Sequence, residues 1–171
     1  MKSIILLYLK AFLLFGIGFG LVTFLSDPVV DRSIAGLLIK TGFFGLFMSL
    51  ALISSHIIAI QQKGFSISQN TIRVQQKKVV NSELPPSSLA QKLTMDPHWN
   101  KLKIRNVNDE ISFNTRTSFW SWGEKILIQM KKSGSGQNQY VISSKPILGA
   151  TLIDYGKNLQ NVSRLEKLIT A

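Results

Sequence analysis

Residues able to carry chemistry are sparse in this chain. Its 171 residues include no cysteine and two histidines, His56 and His98. A thiolate nucleophile and a Cys/His metal set are therefore ruled out by composition. The Ser, Asp, Glu and Gly spacings form no GxSxG elbow, HExxH pair, Walker loop or dinucleotide fingerprint. His98 follows Pro97 and reads as a loop or surface residue. The remaining catalytic option is a carboxylate pair, Glu124 with Asp154, which sequence spacing alone does not bring together. No catalytic residue, cofactor or metal is expected.

Binding groups are better represented. In Asp154-Tyr-Gly156-Lys157-Asn158, Asp154 is suited to bond loop amides, and Gly156 to supply a backbone shape that a Cβ forbids. Asn158 is suited to N-cap a following helix. The segment is either a purely structural turn or a ligand-binding one. Lys101, Lys103 and Arg105 alternate with apolar residues, as on a half-exposed strand. They form either a solvated sheet face or a face for phosphate or lipid headgroups. Trp120 and Trp122 fall on the side of Ile126, Ile128 and Met130. Core packing is the first reading of that stripe, and a membrane-interface or partner face is the second.

The elements that must position these groups divide sharply. Two apolar runs, 4–25 and 34–60, are each long enough to cross the hydrocarbon core of a bilayer. The first holds fifteen Leu, Ile, Phe or Val residues, each contributing about −0.3 to −0.6 kcal/mol to insertion. Lys10 opposes this but lies near one end, where its ammonium can reach the headgroups. A signal peptide is the competing reading, but the run is too long and lacks a small-x-small cleavage site. If 41–60 is the spanning part of the second run, Lys40 sits at one interface, as an anchor or a functional charge. His56, beside Ser54 and Ser55, then lies one turn inside the other, as a packing hydrogen bond or a proton relay. Gly16 and Gly20 make a GxxxG face for close packing on the second helix or on a copy of the chain.

The connector carries Arg32 against Asp27 and Asp31. Lys2 precedes the first run, and Lys63, Arg73, Lys77 and Lys78 follow the second. The positive-inside bias then puts both termini in the cytoplasm, in a multi-pass protein of the cell (inner) membrane. The expected organisation is a transmembrane helical hairpin (1–62), a connecting β-hairpin (63–83) and a cytoplasmic α+β domain (84–171). The hairpin at 63–83 comes from period-two alternation around Gln69-Asn70, with 77–82 read as polar. In the α+β domain, Ser87 or Ser88 caps a short helix over 89–95. Strands follow at 101–107, turning at Asn108-Asp109 into 110–115, and then near 126–130 and 139–144. The glycine-containing run 131–139 reads as a loop. A C-terminal helix carrying Leu159, Val162, Leu165 and Ile169 packs on an antiparallel sheet of about four to six strands.

Ser121-Trp122-Gly123-Glu124, Ser143-Ser144-x-Pro146 and Asp154-x-Gly156-Lys157-Asn158-x-x-Asn161-Val162 together resemble an uncharacterised domain scattered through bacterial membrane proteins. The likeness covers roughly 84–169, with Tyr155 where that pattern carries Trp. It implies a helix, four strands and a final helix, and it carries no activity and no catalytic residues.

The net charge is +11, and a basic domain beside an anionic leaflet gains about 1 kcal/mol per nearby Lys or Arg. The lipid bilayer and a protein of unknown identity are therefore the expected partners. Nucleic acid is disfavoured by the lack of finger spacing, RNP-type run or helical basic stripe. The first functional expectation is a non-catalytic, membrane-tethered interaction module. The alternatives are an accessory or assembly subunit of a larger membrane complex, and a membrane-associated hydrolase or transferase.

Overall fold

The computed structural model describes residues 2–26, 33–118, 121–132 and 137–171. The expectations for the charged connector (Asp27, Asp31, Arg32), for Trp120 and for the centre of the glycine-containing loop fall outside them. The chain forms two units, Met1–Ile72 and Arg73–Ala171.

The first unit is a pair of long apolar helices, α1 (Lys2–Ser26) and α2 (Ile34–Gln62). Both are long and apolar enough to cross a membrane. At 1.5 Å per residue their 25 and 29 residues exceed the ~30 Å of a hydrocarbon core. They run antiparallel. The Tyr8 hydroxyl bonds the Ser54 hydroxyl at 3.0 Å, Phe19 stacks on Phe44 at 4.1 Å, and Gly16 abuts Gly45. Small side chains allow this approach. A Cβ added at Gly45 would lie 2.8 Å from the Phe12 carbonyl oxygen, and one at Gly16 would lie 3.0 Å from the Thr41 oxygen. The GxxxG face of Gly16 and Gly20 is therefore used against α2 within the chain.

Segment 65–75 does not form the expected β-hairpin. Its hydroxyls turn back on the chain instead. The Ser68 N–H donates to Thr71 Oγ1 (2.8 Å), the Thr71 N–H donates to Ser68 Oγ (3.2 Å), and Thr71 Oγ1 donates to the Ser66 carbonyl (2.8 Å). Polar side chains that satisfy local backbone groups compete with a strand ladder, and here they win.

The second unit contains β1 (Gln76–Ser82), α3 (Pro86–Met95), β2 (Arg105–Val107), β3 (Glu110–Asn114), β4 (Glu124–Lys132), β5 (Asn138–Pro146) and α4 (Lys157–Thr170). The strands form one antiparallel sheet in the order β1-β5-β4-β3-β2. The polar stretch 77–82 is thus an edge strand. Its partner, β5, lies about sixty residues away in sequence, beyond the reach of any local pattern. Helix α3 starts at Pro86 after Pro85 and has no side-chain cap. Proline at the first helical position supplies the start that was expected of Ser87 or Ser88. The Asn108-Asp109 turn forms as expected, with φ of 46° and 61°, the backbone hand that suits a two-residue hairpin.

One face of the sheet packs on the helices. Ile126 and Ile128 of β4, Tyr140 and Ile142 of β5, and Ile111 and Phe113 of β3 meet Leu89 and Leu93 of α3 and Val162, Leu165 and Ile169 of α4. Burying each such side chain fully contributes about 1.5–3 kcal/mol. Trp99 is wholly buried among them, with its ring edge-to-face with Phe113 at 5.3 Å. Trp122, by contrast, is 71% exposed, so the core reading of that stripe holds for Ile126 and Ile128 but not for Trp122.

Candidate functional site

Helix α4 and the last strand meet in a buried polar joint. Gly156, at φ 70°, is the residue that caps α4, and Tyr155 before it also has positive φ, 53°. Two left-handed residues in succession turn the chain tightly enough for Asp154 to reach past them. Its Oδ1 accepts from the Gly156 N–H (3.1 Å), and its Oδ2 accepts from the Asn158 backbone N–H and from Asn158 Nδ2, each at 2.8 Å. The expected amide-binding role of Asp154 and the backbone role of Gly156 are both present. Asn158 does not cap the helix. It lies inside α4, fully buried, where its Oδ1 accepts from Ser144 Oγ on β5 at 2.6 Å. Asn161 Nδ2 donates to the same Ser144 oxygen at 3.3 Å. The joint fixes the start of α4 to the end of β5 through groups saturated by one another.

A second joint lies at the start of β4. Glu124 is buried, and its carboxylate oxygens accept from the Thr115 and Ser121 hydroxyls. Its own N–H donates to Thr115 Oγ1 (2.8 Å), and the Gly123 N–H donates to Ser121 Oγ (3.0 Å). Gly123 has φ 90°, and a Cβ there would lie 2.9 Å from the Thr115 carbonyl oxygen. Lys157 spans the joints, donating from Nζ to Ser118 Oγ at 3.2 Å. Asp154 and Glu124 are therefore each tied to the chain's own donors.

The other candidate residues are distributed more widely. Lys101 and Lys103 precede the ladder, which begins at Arg105, so the three-residue basic strand is reduced to Arg105. A different basic face takes its place. Lys77, Ser143, Leu127, Ser112 and Arg105 stand in one row across all five strands, on the side away from the helices. On the same side Lys125 stands directly opposite Lys145, and both are exposed. Sequence reasoning missed this face because it joins strands remote in sequence. The only local trace was alternation within each strand.

In the helical unit, Lys40 is exposed on α2. His56 is fully buried, and its Nε2 donates to the Ile72 carbonyl at 3.2 Å. Ser55 turns back to the Ala51 carbonyl (2.7 Å), so only Ser54 of this polar trio bonds the Tyr8 hydroxyl on α1. A cavity of about 250 Å³ is lined by Lys2, Ser3, Ile4, Ile67, Ser68, Gln69 and Ile72. A recess of about 10 Å³ lies beside Leu89, Ile111, Ile128 and Tyr140. Neither is lined by Asp154 or Glu124. No group of three His, Cys, Asp or Glu side chains suited to a metal ion occurs among the described residues.

Burial raises the pKa of the Tyr140 hydroxyl, which donates to the Leu84 carbonyl, and raises that of Tyr155. The His98 ring lies at the surface but is flanked by Trp99, with centroids 4.3 Å apart. Lost hydration lowers its pKa from the ordinary 6.5, Arg164 and Lys157 lower it further, and Asp96 opposes them.

No protein-family model and no curated protein matches the chain. Among solved structures, the crystal structure of the di-domain ARO/CYC StfQ from the steffimycin biosynthetic pathway aligns with 84% of the chain at 12% identity and a TM-score of 0.30. The chain spans 62% of that protein's length. A likeness this faint carries no argument about the chain.

Proposed function

We propose that the chain is a non-catalytic interaction module tethered in a membrane by its helical hairpin, with both termini cytoplasmic. In this reading a basic α+β domain faces an acidic partner, either anionic lipid or a protein. The observation that carries it is the inverted polarity of the helix pair. The buried positions are small or polar, as at Ala11, Gly16, Gly20, Gly45, Ser49 and His56, with Ile53 and Ile60 the larger exceptions. Ile5, Leu21, Ile34, Leu38, Phe43 and Phe47 point outward, each more than half exposed. A water-soluble pair would bury the second set, whereas hydrocarbon reverses the preference and leaves small residues to make the seam.

The resemblance to a domain of bacterial membrane proteins agrees with this reading. The residues that carry it, Ser121, Glu124, Ser144, Asp154, Asn158 and Asn161, make internal bonds. That use favours a scaffold over a reaction centre. The hydrolase or transferase alternative needs a cleft at Asp154 or Glu124, and the chain's own donors hold both. The accessory-subunit alternative rests on the GxxxG packing face and the small cytoplasmic domain, and within the chain α2 occupies that face.

The test is copurification of the full chain from membranes in mild detergent, comparing wild type with Lys77→Glu/Lys125→Glu/Lys145→Glu. Loss of a bound anionic lipid or of a copurifying protein in the variant supports the reading. An identical set of companions in the two preparations rejects it.

A further inference from the structure

The turn carrying Trp122 is a place where the second unit spends apolar surface on solvent. Trp122 is 71% exposed, and Ile147 and Leu148, at the end of β5, are 50% and 51% exposed. The two turns are bonded together, because the Ile147 N–H donates to the Gly123 carbonyl at 3.0 Å. The Trp122 turn is also held from inside by the Ser118–Ser121 backbone bridge and by the Ser121 and Glu124 bonds described above. An aromatic residue on a turn already fixed in this way loses little conformational freedom when it binds.

Cations frame this tip. Lys125 lies three residues beyond Trp122, Lys145 lies two before Ile147, and the two stand opposite each other on the sheet. Arg116, also exposed, lies on the segment whose backbone closes against Gly123. The adjacent acid, Glu124, is buried. Like charges directly opposite each other destabilise a sheet, and an anion placed over Lys125 and Lys145 relieves that repulsion.

We propose that this tip dips into the headgroup region of an anionic membrane leaflet, with Trp122, Ile147 and Leu148 entering the acyl boundary and Lys125, Lys145 and Arg116 meeting lipid phosphates. The inference rests on the membrane-tethered reading and names the surface that reading leaves open. The occupant is lipid because indole and branched aliphatic groups ringed by cations match the layering of that interface. The chain also brings its own bilayer-length hairpin. Helix α2 ends at Gln62 and β1 begins at Gln76, so the sheet is joined covalently to the hairpin by a short connector.

The experiment uses the full chain in nanodiscs of neutral phosphatidylcholine, or of the same lipid mixed with phosphatidylglycerol. The chain has no native cysteine, so Gly149→Cys, where an added Cβ meets nothing within 4 Å, takes a single environment-sensitive fluorophore beside an intact tip. Thr170→Cys on α4 serves as the control. The expected result is a blue shift at position 149, with quenching by shallow spin-labelled lipid, in anionic discs at low salt. That signal is lost on Trp122→Ala, on Lys125→Glu/Lys145→Glu and at high salt, while position 170 stays aqueous. A 149 probe that remains aqueous and unquenched in anionic discs overturns the proposal. If backbone amides of β4 and β5 are still protected from hydrogen exchange by anionic lipid, only insertion fails and the tethered module stands. If that protection is also absent and the chain leaves the discs, the underlying reading fails too. A probe protected in native membranes but not in lipid discs assigns the tip to a protein and overturns the lipid proposal.

Discussion

Asp154 receives three N–H donors, one from Gly156 in the turn and two from Asn158 in the first turn of α4, and the two residues that follow Asp154 both have positive φ. A tyrosine in that region is strained, and it persists only where the surroundings over-determine it. Asp154→Ala strips the buried donors of their acceptor and is expected to cost about 2–3 kcal/mol. Urea unfolding of the full chain in mild detergent, followed by tryptophan fluorescence, checks this. The turn was legible in sequence because Asp, Gly and Asn at short spacing act locally. Ser144 was not, because its acceptor Asn158 is reached only after β5 and α4 have docked. The tryptophans show the same limit: Trp122, whose spacing put it on the side of Ile126 and Ile128, is exposed, whereas Trp99, which no local pattern singled out, is buried. His98 supplies a pH prediction. A histidine whose folded pKa lies below 6.5 binds fewer protons folded than unfolded, so stability is full above 6.5 and declines as pH falls below it. His98→Gln is expected to flatten that part of the pH–stability curve, and an unchanged acid slope would exclude His98 as its source.

Among the elements, the seam between α1 and α2 makes a contrast that only close packing explains. Gly45→Ala places its methyl 2.8 Å from the Phe12 carbonyl oxygen, whereas an added Cβ at Gly18 meets nothing within 4 Å. Gly45→Ala is expected to loosen the hairpin by about 1–3 kcal/mol and Gly18→Ala to leave it unchanged, as read from resistance to dissociation in detergent. The presence and length of both helices were plain from composition, since a long apolar run needs no tertiary information. The β1 edge strand was hidden, because two valines in a polar stretch acquire a pattern only through pairing with β5. On the outer sheet face, Lys125→Glu replaces a like-charge pair with an opposite one. It is expected to stabilise the sheet by about 0.2–1 kcal/mol while weakening contact with anionic lipid. A thermal melt and a lipid-contact assay moving in opposite directions would show that the repulsion serves binding.

For the molecule as a whole, the division into an apolar helical unit and a basic α+β unit follows from the two materials of which the chain is made. Of the net +11, residues 64–171 carry 15 Lys or Arg against 7 Asp or Glu, or +8, so the cationic excess lies mainly beyond the hairpin. In the proposed reading, that asymmetry is what orients the chain by the positive-inside bias and draws the sheet domain towards an anionic surface. The most direct test is topological, and the absence of native cysteine makes it clean. Ser26→Cys and Thr170→Cys, one at the end of α1 and one near the end of α4, are treated with a membrane-impermeant maleimide on intact cells and again after permeabilisation. Labelling of position 26 on intact cells, with position 170 reacting only once the membrane is opened, is the predicted result. Labelling of position 170 on intact cells would contradict the account.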